Sequence, residues 1–233
     1  MTSAATPRKT AFRVIRWVVV AVVALILLPY FVAPLYRVIN PVSTLMVGRS
    51  ILGKRVARTW VPLAQVAPVL PRTVIASEDA RFCSHHGVDL VEMRAALEDA
   101  EDITDARGGS TLTQQLAKNL FLWPGRSIVR KALEFPLALW IDLVLPKRRI
   151  MEIYLNIAEW GPDGEFGIEA GAQKAFHKSS RELSPAEAGL MAAILPNPKR
   201  RSAMQPRPGV RRIAGIVQAR AARAKSIDAC LKG

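Results

Sequence analysis

The sequence predicts a mainly α-helical protein with one transmembrane helix at its N-terminal end. Two observations predict this. From Trp17 to Tyr36 no residue is charged and twelve of the twenty are Val, Ile, Leu or Phe. After Pro71 the chain becomes a series of segments with helix starts, 3.6-residue periods and stops, with few strand patterns and no internal repeat. A chain of 233 residues suffices for one domain with a sizeable core plus an anchor.

The apolar run comes first. At the helix centre its aliphatic residues favour insertion by at most about 4–7 kcal/mol. Pro29 and Pro34 are expected to bend its outer end. Arg8, Lys9, Arg13 and Arg16 precede it without an acid, which places the N-terminus in the cytoplasm and the remainder outside. A cleaved signal is the alternative, with Trp17–Leu28 as its apolar core. No small-x-small cleavage site follows, however, and Pro34 sits directly after the only position that fits, Ala33. The expected organisation is a basic cytoplasmic tail over 1–16, an anchor over 17–36, a membrane-proximal connector over 37–70 and a folded domain over 71–233. The connector is apolar, lacks a sustained period and is broken by Pro41, Gly48, Pro62 and Pro68.

Within the domain, the segment from Ile75 reads as helical up to Phe82. Asp89 caps a helix with Glu92 three residues on and Leu90, Met93, Ala96 and Leu97 as its buried face. Thr111 with Gln114 starts a helix that Trp123-Pro124-Gly125 ends. Ser127 starts another, which Pro136 must end or kink. Lys147–Ala158 reads as helix, with Ile150, Ile153, Tyr154 and Ile157 on one side and Glu152, Asn156 and Glu159 on its polar face. Ser184-Pro185-Ala186-Glu187 combines N-cap, Pro at N1 and Glu at N3. Val210–Lys225 forms a final helix.

The formal charge is +14. Residues after 36 keep 29 cations against 19 acids, so a basic domain outside the membrane seeks an anionic partner. The topology argues against nucleic acid and leaves lipid headgroups and phosphate-bearing lipids. Cys83 and Cys230 are far apart in sequence and make no metal or CxxC pattern; both are expected to be ordinary unpaired residues.

Three stretches depart from what packing alone would choose. In Ile75-Ala-Ser-Glu78-Asp79-Ala-Arg81-Phe82-Cys-Ser-His85-His86-Gly87, two adjacent carboxylates fall where the helix dipole disfavours acids unless a cation offsets it. In Arg107-Gly108-Gly109-Ser110-Thr111-Leu112-Thr113-Gln114-Gln115-Leu116-Ala117-Lys118-Asn119, a Gly pair leads into a helix N-terminus whose free N–H groups suit an anion. In Arg126-Ser-Ile-Val-Arg130-Lys131-Ala-Leu-Glu134, charges recur every four residues on one face, either as a salt-bridge ladder or as anion ligands.

The ordered blocks EDARFCSHHG, GGSTLTQQLAKN, RKALE, KRRIMEIYLN and SPAEAGLMAAILPNP together resemble the peptidoglycan glycosyltransferase family, and most of all its monofunctional biosynthetic transglycosylase branch. The resemblance runs from about Pro41 to Pro198. No SxxK followed by KTG is present, so no penicillin-binding transpeptidase domain is expected. The resemblance implies a two-lobed, partly lysozyme-like fold with one jaw seated in the bilayer. It implies an inverting transfer that polymerises lipid II into β-1,4 glycan strands with release of polyprenyl pyrophosphate, at the periplasmic side of the bacterial inner membrane. Carried over by position, Glu78 matches the general base and Glu134 the second glutamate. Asp79, Phe82 and His85 match companions of the first motif. Ser110, Thr111, Gln114, Gln115, Lys118 and Asn119 match the motif lining the donor cleft, and Arg126 and Arg130 would contact pyrophosphate. No cofactor is required, although a divalent cation (Mg or Mn) serves some members at the pyrophosphate; no ligand cluster here fixes one. Implied partners are lipid II, the lipid-linked glycan chain, the cell membrane and proteins of division or wall synthesis, with no nucleic acid. Leu112 stands where isoleucine is commoner and Pro136 falls just after the second glutamate; neither touches the chemistry. The alternatives are a glycan-cleaving lysozyme-like or lytic enzyme, and an inactive membrane-anchored division scaffold.

Overall fold

In a computed structural model of the chain, residues 7–98, 109–125 and 127–232 are described. Helix α1 (Pro7–Val32) has 26 residues. At 1.5 Å per residue it is about 39 Å long, more than the ~30 Å hydrocarbon core of a bilayer. Within Ala11–Arg37 the most apolar 18 residues have a mean hydropathy of 2.7 and only 11% of them are buried, so the helix is long and apolar enough to cross a membrane. Pro29 lies inside it without ending it, and a short 3-10 turn follows at Ala33–Arg37.

The following stretch, expected to be a connector, is packed into the core. It contains α2 (Thr44–Ile51), capped by the Ser43 hydroxyl, and the two-residue strand β1 (Ala57–Arg58). Strand β1 pairs in parallel with β2 (Glu165–Phe166), Ala57 opposite Glu165 and Arg58 opposite Phe166. Met46, Leu63, Val66, Ala67 and Leu70 join the hydrophobic core. No period marks this stretch because long-range bonds fix it. Both ends of the Asn156 amide bond the Val61 backbone at 2.8 Å, and Glu152 Oε2 accepts from Leu63 N at 2.8 Å. Asn156, expected on a polar face, is fully buried for this reason.

Eight helices follow: α3 (Val69–Glu78), α4 (Leu90–Glu98), α5 (Leu112–Phe121), α6 (Ile128–Val144), α7 (Lys147–Ile157), α8 (Ile168–Phe176), α9 (Pro185–Ile194) and α10 (Pro208–Arg223). Helix α3 packs with α9 and α10, and α5 packs with α6 and α7. The α9–α10 approach is close: a Cβ at Gly189 would lie 2.9 Å from the Ala214 carbonyl oxygen, so only glycine fits. Helix α7 is buried from Ile153 to Ile157 and ties both groups into one core.

The structure departs from the sequence reading elsewhere as well. Helix α3 ends at Glu78 rather than Phe82, because Asp79 turns to an extended φ of −162° and commits its side chain elsewhere. Of the end or kink expected at Pro136, the end does not occur: α6 runs on to Val144, and Ala132 and Pro136 are exposed, leaving the unpaired carbonyl to solvent. Leu90 does not face the core but is 59% exposed beside Val91 at 56%; Leu97 and Arg126 lie outside the residues whose side chains are described. Finally, Cys83 and Cys230 are not unpaired: they form a disulfide with a Cα–Cα distance of 5.4 Å across 147 residues. After α10 the chain folds back over α3, where Arg72 Nε donates to Ala221 O at 2.7 Å and pairs with Asp228 at 3.4 Å. Sequence distance said nothing about this return.

Candidate active site

The site forms where the C-terminus of α3 meets the N-terminus of α5. The carboxylate of Asp79 accepts from Leu112 N, the first N–H of α5, at 2.9 Å. His85 Nε2 lies 2.9 and 3.0 Å from its two oxygens and so donates to it. The dipole that disfavours an acid at the end of α3 is thus offset by the positive end of the next helix. The start of α5, expected to suit an anion, has its first N–H taken by the Asp79 carboxylate. Thr111 and Gln114 complete the helix start as a capping box, and the Thr111 hydroxyl donates to Gly87 O at 2.6 Å. Gly87 has φ +80°, and a Cβ there would lie 2.4 Å from Ala138 O. Asp79, His85, Thr111, Gln114 and the fully buried Phe82 are therefore supports behind the cleft.

Glu78, one residue earlier, faces forward. Gln115 Nε2 donates to its Oε2 at 3.0 Å, and the Ser77 hydroxyl lies 3.3 Å from Oε1. Burial pushes the Glu78 carboxyl above the ordinary glutamate range; the bonds from Gln115 and Ser77 and the charges of Arg201 and Lys118 pull the other way without cancelling it.

Lys118, whose charge acts on Glu78, belongs to a group of cations. Gln115, Lys118 and Asn119 share one face of α5. Helix α6 presents Arg130, Lys131 and Glu134. Arg130 forms a buried ion pair with Glu134, which is 3% exposed; Lys131 Nζ lies 3.4 Å from Glu134 Oε2 and donates to the Ser110 hydroxyl at 2.7 Å. Burial lowers the Lys118 ammonium, and the charge of Arg130 lowers it further, against the pull of Glu78. Lys131 is lowered by burial and then by Arg130 and Lys118. Arg130 and Lys131 share the Glu134 carboxylate, while Lys118 is paired with no described carboxylate and feels the charges of Arg130 and Glu78, an arrangement that an added anion would relieve.

Arg201 and Tyr154 escaped sequence reasoning. Arg201 lies in a Lys199-Arg200-Arg201 run that reads as a solvated face, yet it is anchored to Ala193 O at 2.8 Å and acts on Glu78. Its place just after the SPAEAGLMAAILPNP block was the available signal. Among the described residues no group of three or more His, Cys, Asp or Glu is placed to hold a metal, and Asp79 and His85 are spent on each other. The described residues of the site offer no ligand set for a resident cation.

One largely buried carboxylate beside a group of cations is an arrangement suited to an enzyme acting on an anionic substrate. A family model described as transglycosylase matches residues 46–222, and the chain belongs to that family. It is 63% identical over 216 residues to a biosynthetic peptidoglycan transglycosylase of Nitrobacter hamburgensis, covering 92% of this chain and 96% of the relative. It is 60% identical over 221 residues to one of Nitrobacter winogradskyi, covering 95% and 97%. To one of Rhizobium leguminosarum bv. trifolii it is 51% identical over 211 residues, covering 90% of each.

Proposed function

We propose that this chain is a peptidoglycan glycosyltransferase that polymerises lipid II into β-1,4-linked glycan strands. The observation that carries the reading is the crowding of Lys118, Arg130 and Lys131, with Lys118 and Arg201 bringing positive charge to Glu78. Glu78 removes the proton from the 4-hydroxyl of the acceptor sugar as that oxygen attacks the anomeric carbon of the donor. The anomeric C–O bond breaks with inversion, and its electron pair leaves on the lipid pyrophosphate. A carboxylate whose affinity for protons is raised by burial is a stronger base than an exposed one. The cations stabilise the charge that develops on the pyrophosphate, as the expected contact of Arg126 also would. Gln115 and Asn119 line the donor side; Asp79 and His85 hold the Glu78 turn in place. Glu134 keeps Arg130 oriented. No resident cofactor enters this scheme; a divalent cation, if one is used, arrives with the pyrophosphate.

A raised glutamate also suits the general acid of a glycan-cleaving enzyme. Such an enzyme faces an alkoxide leaving group, however, and gains little from three cations. Polymerisation of purified lipid II by Glu78→Gln decides the matter: a loss of at least ~10²-fold is expected. Near-normal turnover would remove Glu78 from the role, and release of muropeptides from purified sacculi would favour the cleaving reading.

The proposed setting is the outer face of the bacterial inner membrane, with 17–36 as a single anchor, 1–16 in the cytoplasm and a catalytic domain that takes in residues 37–70, which pack into its core, as well as 71–233. The run of cations before α1 supports the orientation, and a disulfide in the domain suits an oxidising compartment. The exposed Leu90, Val91, Ile128, Val129, Leu139 and Leu143 support a domain whose cleft rim dips into the bilayer. Proteins of wall synthesis or division are the partners to be sought.

A further inference from the structure

Tyr154 is 2% exposed and packs as one of the apolar-side residues of α7. The reaction as proposed makes no use of it, yet its hydroxyl is partnered in a specific way. It donates to Gln115 Oε1 at 3.0 Å, while Nε2 of the same amide donates to Glu78 Oε2 at 3.0 Å. An amide rotated by half a turn keeps its shape but exchanges donor and acceptor. In that orientation Oε1 would face the Glu78 oxygens, which only a protonated Glu78 would tolerate. The Tyr154 hydroxyl would then accept from Nε2, and its own hydrogen would be buried with no acceptor among the described residues. Burial, together with the negative charges of Glu78 and Asp79, also raises the phenol well above its ordinary range, so it remains an O–H.

We propose that Tyr154 is a positioning residue of the transfer reaction: by fixing which end of the Gln115 amide faces Glu78, it keeps that carboxylate in its proton-accepting form. Other groups bear on Glu78 as well. Lys118 from α5, Arg201 from the segment after α9 and the Ser77 hydroxyl favour its ionised form, and burial opposes it. All of these remain when Tyr154 is changed, so a shift on removing the phenol hydroxyl reports the amide.

The inference rests on Glu78 acting as base and is tested by the pH dependence of kcat/KM for polymerisation. Tyr154→Phe, Gln115→Met and the double variant are compared with the wild type, each with its melting temperature. In Tyr154→Phe the acid limb should move to higher pH by about half a unit or more, while the plateau above it falls by less than ~3-fold. Gln115→Met should shift the limb in the same direction, and adding Tyr154→Phe should move it no further, because the two act as one chain. A uniform fall in rate with an unmoved limb would make Tyr154 a packing residue and overturn the proposal. Should Tyr154→Phe fail to fold, an unmoved limb in Gln115→Met overturns it equally. An active Glu78→Gln sinks both this inference and the base assignment; an inactive Glu78→Gln with unmoved limbs sinks this inference alone.

Discussion

Glu78 is held in a place that costs the folded protein something when it ionises. Burial raises its folded pKa above the unfolded value. Below the unfolded pKa both states are protonated and the residue is neutral to stability. As pH rises the unfolded chain ionises first, and stability falls until pH passes the folded pKa. Glu78→Gln is therefore expected to melt higher than the wild type at neutral pH and to lose that advantage in acid, below the ordinary glutamate pKa. Thermal melts at the two pH values check this, and a lower melting temperature at neutral pH would contradict it. At this scale the sequence was informative about which residues are unusual and silent about which way they point. Glu78 and Asp79 are adjacent letters, but one faces the cleft and the other closes onto the start of α5. Arg201 and Tyr154 acquire their relation to Glu78 only through packing of α7 and α9, which no local pattern encodes.

Helix starts were legible because a cap is a local bond. The capping boxes Thr111/Gln114 and Ser184/Glu187 and the caps Ser127 and Asp89 are formed as their letters indicate. Stops were harder, since Pro136 is absorbed where α6 is exposed. The Arg130–Glu134 spacing left open a surface ladder or an anion site. The structure buries the pair, with Arg130 9% and Glu134 3% exposed, so it is no surface ladder. Arg130→Ala strands Glu134 with only Lys131 beside it, and a stability loss of about 3 kcal/mol is expected rather than a few tenths. Lys118 makes no ion pair with a described carboxylate and is repelled by Arg130. Lys118→Met should therefore hold or raise the melting temperature while turnover falls at least ~10-fold, the mark of a charge kept for the reaction at the expense of stability. Melting and polymerisation measured on the same variants separate the two elements. An active Lys118→Met would remove Lys118 from the pyrophosphate.

At the scale of the molecule, the mainly α architecture and the apolar N-terminal helix were both readable from periodicity and hydropathy. The fate of residues 37–70 and the pairing of the cysteines were not, because both depend on contacts between segments distant in sequence. Helix α1 and the turn after it are not loosely attached to the rest of the molecule. Trp140 Nε1 donates to Tyr30 O at 2.9 Å, Arg37 Nε donates to Val144 O at 2.6 Å, and Tyr36 stacks on Phe121 at 5.8 Å. On the proposed topology, a reporter enzyme active only outside the cytoplasm should be active when fused after Gly233 and inactive at the N-terminus; the reverse pattern would refute it. The disulfide closes a 147-residue separation. In the chain-entropy account such a loop is worth up to about 5 kcal/mol. Cys230→Ser, or reduction of the wild type, should lower the melting temperature by several degrees, and equal melting of reduced and oxidised protein would count against a stabilising role.

That same bond also imposes an order in time. Cys83 lies between Asp79 and His85, in the turn that holds Glu78 forward, and its partner is synthesised 147 residues later. During synthesis α1 emerges first and can be seated while the turn behind Glu78 is still unfastened. On the proposed topology, the turn is secured only after everything up to residue 230 has been made, has crossed to where thiols are oxidised and has folded back over α3. A chain interrupted before that point keeps every residue of the cleft and lacks the clasp, so maturation of the site and completion of the chain become one event.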